Sequence, residues 1–448
     1  MIQIDAETVA RYDRLGPRYT SYPTVPQWHD SYGQGEVISA LKRANLRSGP
    51  LSLYIHLPFC KSTCSFCGCN HVADQKQKLT AQFAPLLEKE LDLFASNLPK
   101  RRDIVQLHLG GGTPTWLTSI QLDTILNVVG EKFNFLVNAE KSIEVHPAVT
   151  TISHIEVLAA HGFQRISMGV QDFDPQVQEI IGRIQSVDMT RELIAACRER
   201  GFSSVNLDLI YGLPAQTANK FDSTLTHVIN LRPERIALYS YAHLPARFSH
   251  QSTMPLELLP SSEEKMKIFL LSRRRLLEAG YIDIGMDHFV LPEDDMAKAL
   301  LTGELHRNFM GYSTKAGSEM IAVGPSAISM LEDSYFQLNP HWASWRRAVE
   351  MGELSIVKGI NLDEETQKRR DAIMSWMCNR RIDKGEDFPN HWITHLKSET
   401  ISPLVEEDEH GWHATNLGNL FLRVIAMGFD PSFNGLEEEV KHQYSQTV

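Results

Sequence analysis

Leu51-Ser52-Leu53-Tyr54-Ile55-His56-Leu57-Pro58-Phe59-Cys60-Lys61-Ser62-Thr63-Cys64-Ser65-Phe66-Cys67-Gly68-Cys69-Asn70 begins as a strand and ends as a loop of cysteines. Alternation places Leu51, Leu53, Ile55 and Leu57 on one face and Tyr54 and His56 on the other. Pro58 closes the strand, and Cys60-x3-Cys64-x2-Cys67 follows. Thiolates so closely spaced can close on one face of a cluster, and a [4Fe-4S] cube held by three cysteines keeps one iron open to an exogenous ligand. A zinc site would want a fourth Cys or His at finger-like spacing. Cys69, His56 and His71 lie nearby, but four tetrahedral ligands would crowd so short a loop. A disulfide framework belongs to oxidising compartments. Residues 1–7 are acidic without an apolar h-region, and no stretch approaches the roughly 18 apolar residues of a membrane span. The expectation is a cytoplasmic protein with no membrane partner.

Beyond this segment, strand-like and helix-like runs alternate to about residue 245, a βα pattern. Strands are expected at 51–57, 104–109, 142–146, 164–170, 204–210 and 235–241, with helices over 79–97, 120–129, 188–200 and 217–230. Each strand has an apolar face and a polar one. Opposite the Leu, Ile and Val positions stand Tyr54 and His56, Gln106 and His108, Glu144, Ser167 and Gln171, Asn206 and Asp208, and Tyr239 and Tyr241. A closed eight-stranded barrel fills its interior with Val, Ile and Leu layers, whereas this polar set needs a cavity. The expected fold is therefore α/β, a partial, open parallel β/α barrel of about six βα units. A doubly wound open sheet is the competing architecture.

With 448 residues, 42% hydrophobic and 22% charged, the chain can bury one large domain and a smaller one. Three segments are expected: an N-terminal extension over 1–50 packing as a lid on the barrel mouth, a catalytic barrel with accessory strands over 51–360, and a mostly α-helical domain over 361–448. In the last, helical spacing runs from Thr366 to Cys378 and again near 415–428, with a small β ribbon around 411–415. A winged DNA-binding module could look similar, but the acidic run Glu406-Glu407-Asp408-Glu409 and the net charge of −11 argue against nucleic acid. The same charge means that a polycarboxylate ligand needs local cationic clamps. Arg18, Arg247 and Arg307 are the candidates. Cys197 and Cys378 read as buried free thiols.

Gly110-Gly111-Gly112-Thr113-Pro114 ends the second strand. Without a following Gly-Lys-Ser/Thr it is no phosphate loop; its glycines let backbone approach a ligand at the barrel mouth.

The cysteine spacing resembles the radical S-adenosylmethionine (SAM) signature. Tyr54, His56, Pro58, Phe59 and the Cys67-Gly68-Cys69-Asn70 run narrow the likeness to the oxygen-independent coproporphyrinogen III oxidase family, also called the dehydrogenase. Similar blocks recur at 16–23, 142–145, 165–173, 206–214, 241–245, 285–289, 306–309 and 324–329. The resemblance implies that Cys60, Cys64 and Cys67 ligate a [4Fe-4S] cluster. It also implies that Tyr54, Phe66, Gly111, Gly112, Thr113, Glu144, Gln171, Arg183, Asp208, Ala242 and Ile328 line the SAM sites, two SAM per active site. Tyr54, Glu144, Gln171 and Asp208 are also selected by strand alternation. Catalytic candidates are Cys69, Tyr54 and His56. The implied reaction turns two propionates of coproporphyrinogen III into vinyl groups, giving protoporphyrinogen IX for heme biosynthesis. A 5′-deoxyadenosyl radical from SAM removes a propionate β-hydrogen, and CO2 and an electron then leave. Implied partners are a reducing system such as flavodoxin or ferredoxin and a further electron acceptor, and the protein is expected to be a monomer. Where the family usually has Gln this chain has Met310, which cannot donate a hydrogen bond and is expected to weaken or reorient the second SAM. A heme-binding chaperone on the same fold, or a radical SAM methyltransferase or ring-opening enzyme acting on tetrapyrroles, are the alternatives.

Overall fold

The computed structural model describes residues 6–315, 317–385 and 388–434. It resolves into two compact units. One comprises His29–Ala279 and Gly317–Asn361, and the other Met1–Trp28, Gly280–Ala316 and Leu362–Val448.

The first of these units is built on six parallel strands, β1 (Leu51–Leu57), β2 (Asp103–Gly111), β3 (Asn134–Val145), β4 (Arg165–Gln171), β5 (Ser204–Tyr211) and β6 (Arg235–Ser240), neighbours in chain order. A seventh parallel strand, β7 (Glu319–Val323), pairs with β1, and β8 (Ile328–Met330), β9 (Ser334–Leu338) and β10 (Ile356–Asn361) extend the sheet antiparallel. The order β10-β9-β8-β7-β1-β2-β3-β4-β5-β6 is linear, so the parallel strands form an open sheet, as the polar interior requires. Sequence periodicity does not reveal β7, because all five of its residues are buried and none alternates.

Helices Phe83–Asn97, Ser119–Lys132, Val187–Glu199 and Ala218–Leu231 connect the strands. Three start on hydroxyl caps: Thr118 with a reciprocal bond from Gln121, Ser186 and Thr217. The outward strand residues are fully buried; Leu51, Leu53, Ile55, Leu57, Val205, Leu207 and Leu209 are all 0% exposed. Each such side chain stabilises the fold by about 1.5–3 kcal/mol. On the opposite face, Ser52, Gln106, Glu140 and Arg165 form a hydrogen-bonded chain across four strands. That layer floors the interior beneath the functional residues.

The other unit gathers Tyr12, Tyr19 and Tyr22 with Trp376, Phe421, Phe429 and residues from 284–312 in one apolar core. Arg423 donates to the carbonyl of Pro17 at 2.9 Å and Tyr19 to Asp430 at 3.1 Å. The boundaries expected from sequence therefore need correction. Residues 1–50 are divided, with the tyrosine-rich part committed to the core of the C-terminal segment. Helix Gln34–Ala44 belongs to the sheet-bearing unit, where nearby Arg47 pairs with Glu319 at 2.5 Å. Residues 280–316 also leave the expected barrel segment. In the C-terminal part, helix Glu364–Asn379 adjoins a three-stranded antiparallel ribbon, Arg381–Asp383, Gly411–Ala414 and Val405–Glu407.

Glu90, 0% exposed, accepts from the Gly324 N–H at 2.6 Å and from Trp345 Nε1 at 2.7 Å. Burial pushes its carboxyl up to about 7 against these two bonds. Glu90→Gln would set an amide N–H against one of the two donors. The expected loss is about 1–3 kcal/mol, read as a lower unfolding temperature by calorimetry.

Candidate active site

The cysteine loop is pinned where it leaves and re-enters the sheet. Phe59–Cys60 pairs in parallel with Val72–Ala73; Val72 N–H donates to Pro58 O at 2.7 Å and Asp74 N–H to Cys60 O at 2.9 Å. The glycine run lies directly against it. Gly112 N–H donates to Leu57 O and Thr113 N–H to Phe59 O, both at 2.8 Å, while a Cβ at Gly112 would stand 2.8 Å from the Pro58 backbone. A Cβ at Gly111, whose φ is +115°, would meet the His56 ring at 2.7 Å. Gly112 allows the close approach of two backbones, and Gly111 leaves room for the His56 ring.

From outside, the loop is held by two segments distant in sequence. Ser65 N–H and Oγ donate to Ile181 O at 3.2 Å and Ile180 O at 3.0 Å. His250 Nε2 bonds the Cys67 carbonyl at 2.7 Å, and Gln251 Nε2 bonds that of Phe66 at 3.1 Å.

Cys60, Cys64, Cys67 and Cys69 open onto a cavity of about 620 Å³. Phe66, Gly111, Gly112, Thr113, Glu144, Gln171, Arg183, Asp208 and Ala242 line it as well. Among the described residues, no three His, Cys, Asp or Glu side chains are gathered tightly enough for a single metal ion. Zn–S bonds of about 2.3 Å would hold sulfurs within about 4 Å of one another. Cys60, Cys64 and Cys67 come from one short loop and line one cavity, so the donor set fits a [4Fe-4S] group held by three ligands. Burial pushes the Cys60 thiol up to about 11, and it raises Cys64 in spite of Arg183. Hydrogen bonding from Cys69 leaves the thiolate on Cys67, whose sulfur also receives the Cys69 N–H at 3.4 Å.

Below the cavity runs a chain of rings. Tyr54 bonds His56 Nδ1 at 3.0 Å and stacks on His108 at 5.8 Å. His108 bonds Ser142 at 2.7 Å and Glu144 at 3.4 Å. Burial opposes ionisation of Glu144, but the bonds from His108 and from Gly111 N–H at 3.1 Å outweigh it and hold the carboxyl below its usual value. Asp208 accepts from Ser167 at 2.9 Å and Asn206 at 2.7 Å. Burial and the Glu144 charge push it up to about 6. Gln171, at φ +68°, keeps a buried Oε1 without a partner on the cavity wall. Arg183 anchors Nε and Nη2 on Gly169 O at 3.1 and 2.7 Å.

Three expected site residues stand apart from this lining. Tyr54 and His56 sit one layer deeper, and His56 is engaged at both nitrogens, the second with Asn70 O at 2.9 Å; this makes it a brace between β1 and the loop. Ile328 lies on β8, outside the lining residues. Of the clamp candidates, Arg18 pairs with Asp287, Arg247 lies 5.4 Å over the Phe248 ring, and Arg307 is buried over Tyr312 at 4.7 Å. None lines the cavity, whereas Arg183 and Lys61 do. Met310 sits in the turn between His306–Asn308 and Gly311–Ser313, its N–H bonded to Asn308. Alternation continued one step past Glu144 would have found His146; no local pattern announces His250 or Gln251. His250→Ala removes the donor to the Cys67 carbonyl. We expect faster bleaching of the cluster absorbance under a chelator, followed spectrophotometrically.

The Radical SAM superfamily profile matches residues 54–228. The chain is 39% identical over 440 residues to the oxygen-independent coproporphyrinogen III oxidase of Escherichia coli (strain K12), covering 96% of this chain and 95% of that protein. It is 37% identical over 461 residues to the enzyme of that name from Helicobacter pylori (strain ATCC 700392 / 26695), with both chains covered at 100%. The solved structure of coproporphyrinogen III oxidase (HemN) from Escherichia coli, described as a radical SAM enzyme, superposes with a TM-score of 0.89 at 38% identity over 93% of this chain and 97% of that one. With likeness of this degree over nearly its whole length, the chain belongs to the oxygen-independent coproporphyrinogen III oxidase family.

Proposed function

We propose that the protein is the radical SAM oxidoreductase that decarboxylates two propionates of coproporphyrinogen III to vinyl groups, giving protoporphyrinogen IX in heme biosynthesis. The observation that carries this reading is the meeting of Cys60, Cys64 and Cys67 with Glu144, Gln171, Arg183 and Asp208 around one cavity. In this reading the three cysteines hold the cluster, and Phe66, Gly111, Gly112, Thr113, Ala242 and the four polar residues bind SAM, two molecules per site. When bound, cluster and SAM supply reductive cleavage of the sulfonium C–S bond, giving a carbon radical able to take a hydrogen atom from a propionate β-carbon.

The chain's residues do the placing. Glu144, held ionised by His108 and Gly111, offers a fixed negative charge to a cationic ligand. Gly169 leaves room for Arg183, since a Cβ there would stand 2.6 Å from Nη2. Phe66 packs against Val177, Ile181, Leu213 and Tyr241, an apolar wall that keeps water from a reactive carbon radical. Cys69, hydrogen-bonded to Cys67, faces the cavity as a candidate for the substrate side. A small electron-transfer protein such as flavodoxin or ferredoxin would reduce the cluster, and a further acceptor would take the electron left after CO2 departs. We infer a cytoplasmic monomer; among the described residues no helix is long and apolar enough to cross a membrane.

Anaerobic turnover tests the proposal: reconstituted protein with a reductant, SAM and coproporphyrinogen III should release CO2 and protoporphyrinogen IX, and Cys60→Ala should abolish deoxyadenosine release. An intact cubane spectrum without either product would refute it. A second expectation concerns pH. Because Asp208 is raised to about 6, its carboxylate is present above that value and is lost as pH falls through it. SAM affinity, measured by equilibrium dialysis, should weaken below about pH 6, and Asp208→Asn should flatten that part of the profile.

A further inference from the structure

His146 follows the last residue of β3, two places beyond Glu144, and lines the cavity. Its Nδ1 accepts from the Ala148 N–H at 3.2 Å, capping the short turn Pro147–Val149. A ring nitrogen that accepts carries no proton, so the neutral imidazole bears its hydrogen on Nε2. No bond among the described residues engages that Nε2. Burial, then the charges of Arg183 and Lys61, pushes His146 down to about 3, so without a ligand it is an uncharged donor near neutral pH.

Arg183 has Nε and Nη2 committed to Gly169 O, with Nη1 3.9 Å from Cys64 Sγ. Lys61 and Arg183 lie close enough to His146 for their charges to act on it, and these three lining residues offer side-chain donors, whereas Glu144 and Asp208 offer acceptors. A ligand with a carboxylate at one end and positive charge at the other would match both.

We propose that His146 is a binding residue of this cavity, donating its Nε2–H to a ligand carboxylate held at the same corner by Arg183 and Lys61. The proposal rests on the cavity being the SAM and porphyrinogen site. Both ligands carry carboxylates, the methionyl group of one and the propionates of the other, and the experiment separates them.

His146→Asn keeps a side-chain acceptor for the Ala148 N–H but does not extend to the position of Nε2. Equilibrium dialysis of the anaerobically reconstituted protein would measure SAM and an analogue of SAM lacking the carboxylate; fluorescence quenching would measure coproporphyrin III. If the methionyl carboxylate is the ligand, SAM binding weakens about ten-fold while the analogue is unaffected. If a propionate is the ligand, coproporphyrin binding weakens about ten-fold while SAM is unaffected. Lys61→Met, at an exposed position outside the turn, should weaken the same ligand as His146→Asn does. Affinities of both ligands within about two-fold of wild type, or equal losses for SAM and its analogue, would overturn the proposal. A wild-type protein that binds no SAM would sink the parent reading instead, and the porphyrin measurement would then decide the corner by itself.

Discussion

The site depends on one constraint: a loop that must present several sulfurs to one cavity has to be fixed where it leaves the sheet and where it returns. Cys60 and Ala73 lie on adjacent backbones, His56 ties β1 to Asn70, and the glycine end of β2 donates to Leu57 and Phe59. A side chain at Gly112 would push these backbones apart, and one at Gly111 would displace the His56 ring. Ordering so many residues costs roughly 1–2 kcal/mol each. Tying the loop into the fold meets that cost before any cofactor arrives, which favours tight binding and a defined geometry.

The polar face of the sheet follows from the same economy of placement. Parallel pairing sets Tyr54 beside His108, His108 beside Ser142, and Ser167 beside Asn206. A row of polar side chains at equal height can then satisfy its own hydrogen bonds across strands. Unpaired, the same groups would cost several kcal/mol each. Paired, they form a floor rigid enough to hold Glu144 and Asp208 at shifted ionisation. Such groups in a cleft are where charge is stored for ligand binding.

The other unit shows what local patterns leave out. In sequence Tyr12, Tyr19 and Tyr22 are expected as part of a lid on the barrel mouth, yet each is at most 2% exposed in a core shared with residues some 400 positions away. Arg423 seals that association through the Gly16 and Pro17 carbonyls. A boundary placed at residue 50 follows composition, whereas the core follows contacts between the ends of the chain.

The sequence by itself determined the six parallel strands, their two-faced character and the inward set Glu144, Gln171 and Asp208, because alternation is a local property of extended backbone. It also determined the cysteine string and, through long matching blocks, the family. Only the tertiary structure decided that β7 completes the parallel run, that Tyr54 and His56 brace the cavity from beneath, and that His250 and Gln251 hold the cysteine loop. His250 and Gln251 reach carbonyls 183 and 185 positions away in the chain, and no periodicity encodes which distant carbonyl a side chain will find. Spacing reveals which way a residue points; what it meets there depends on how the whole chain packs.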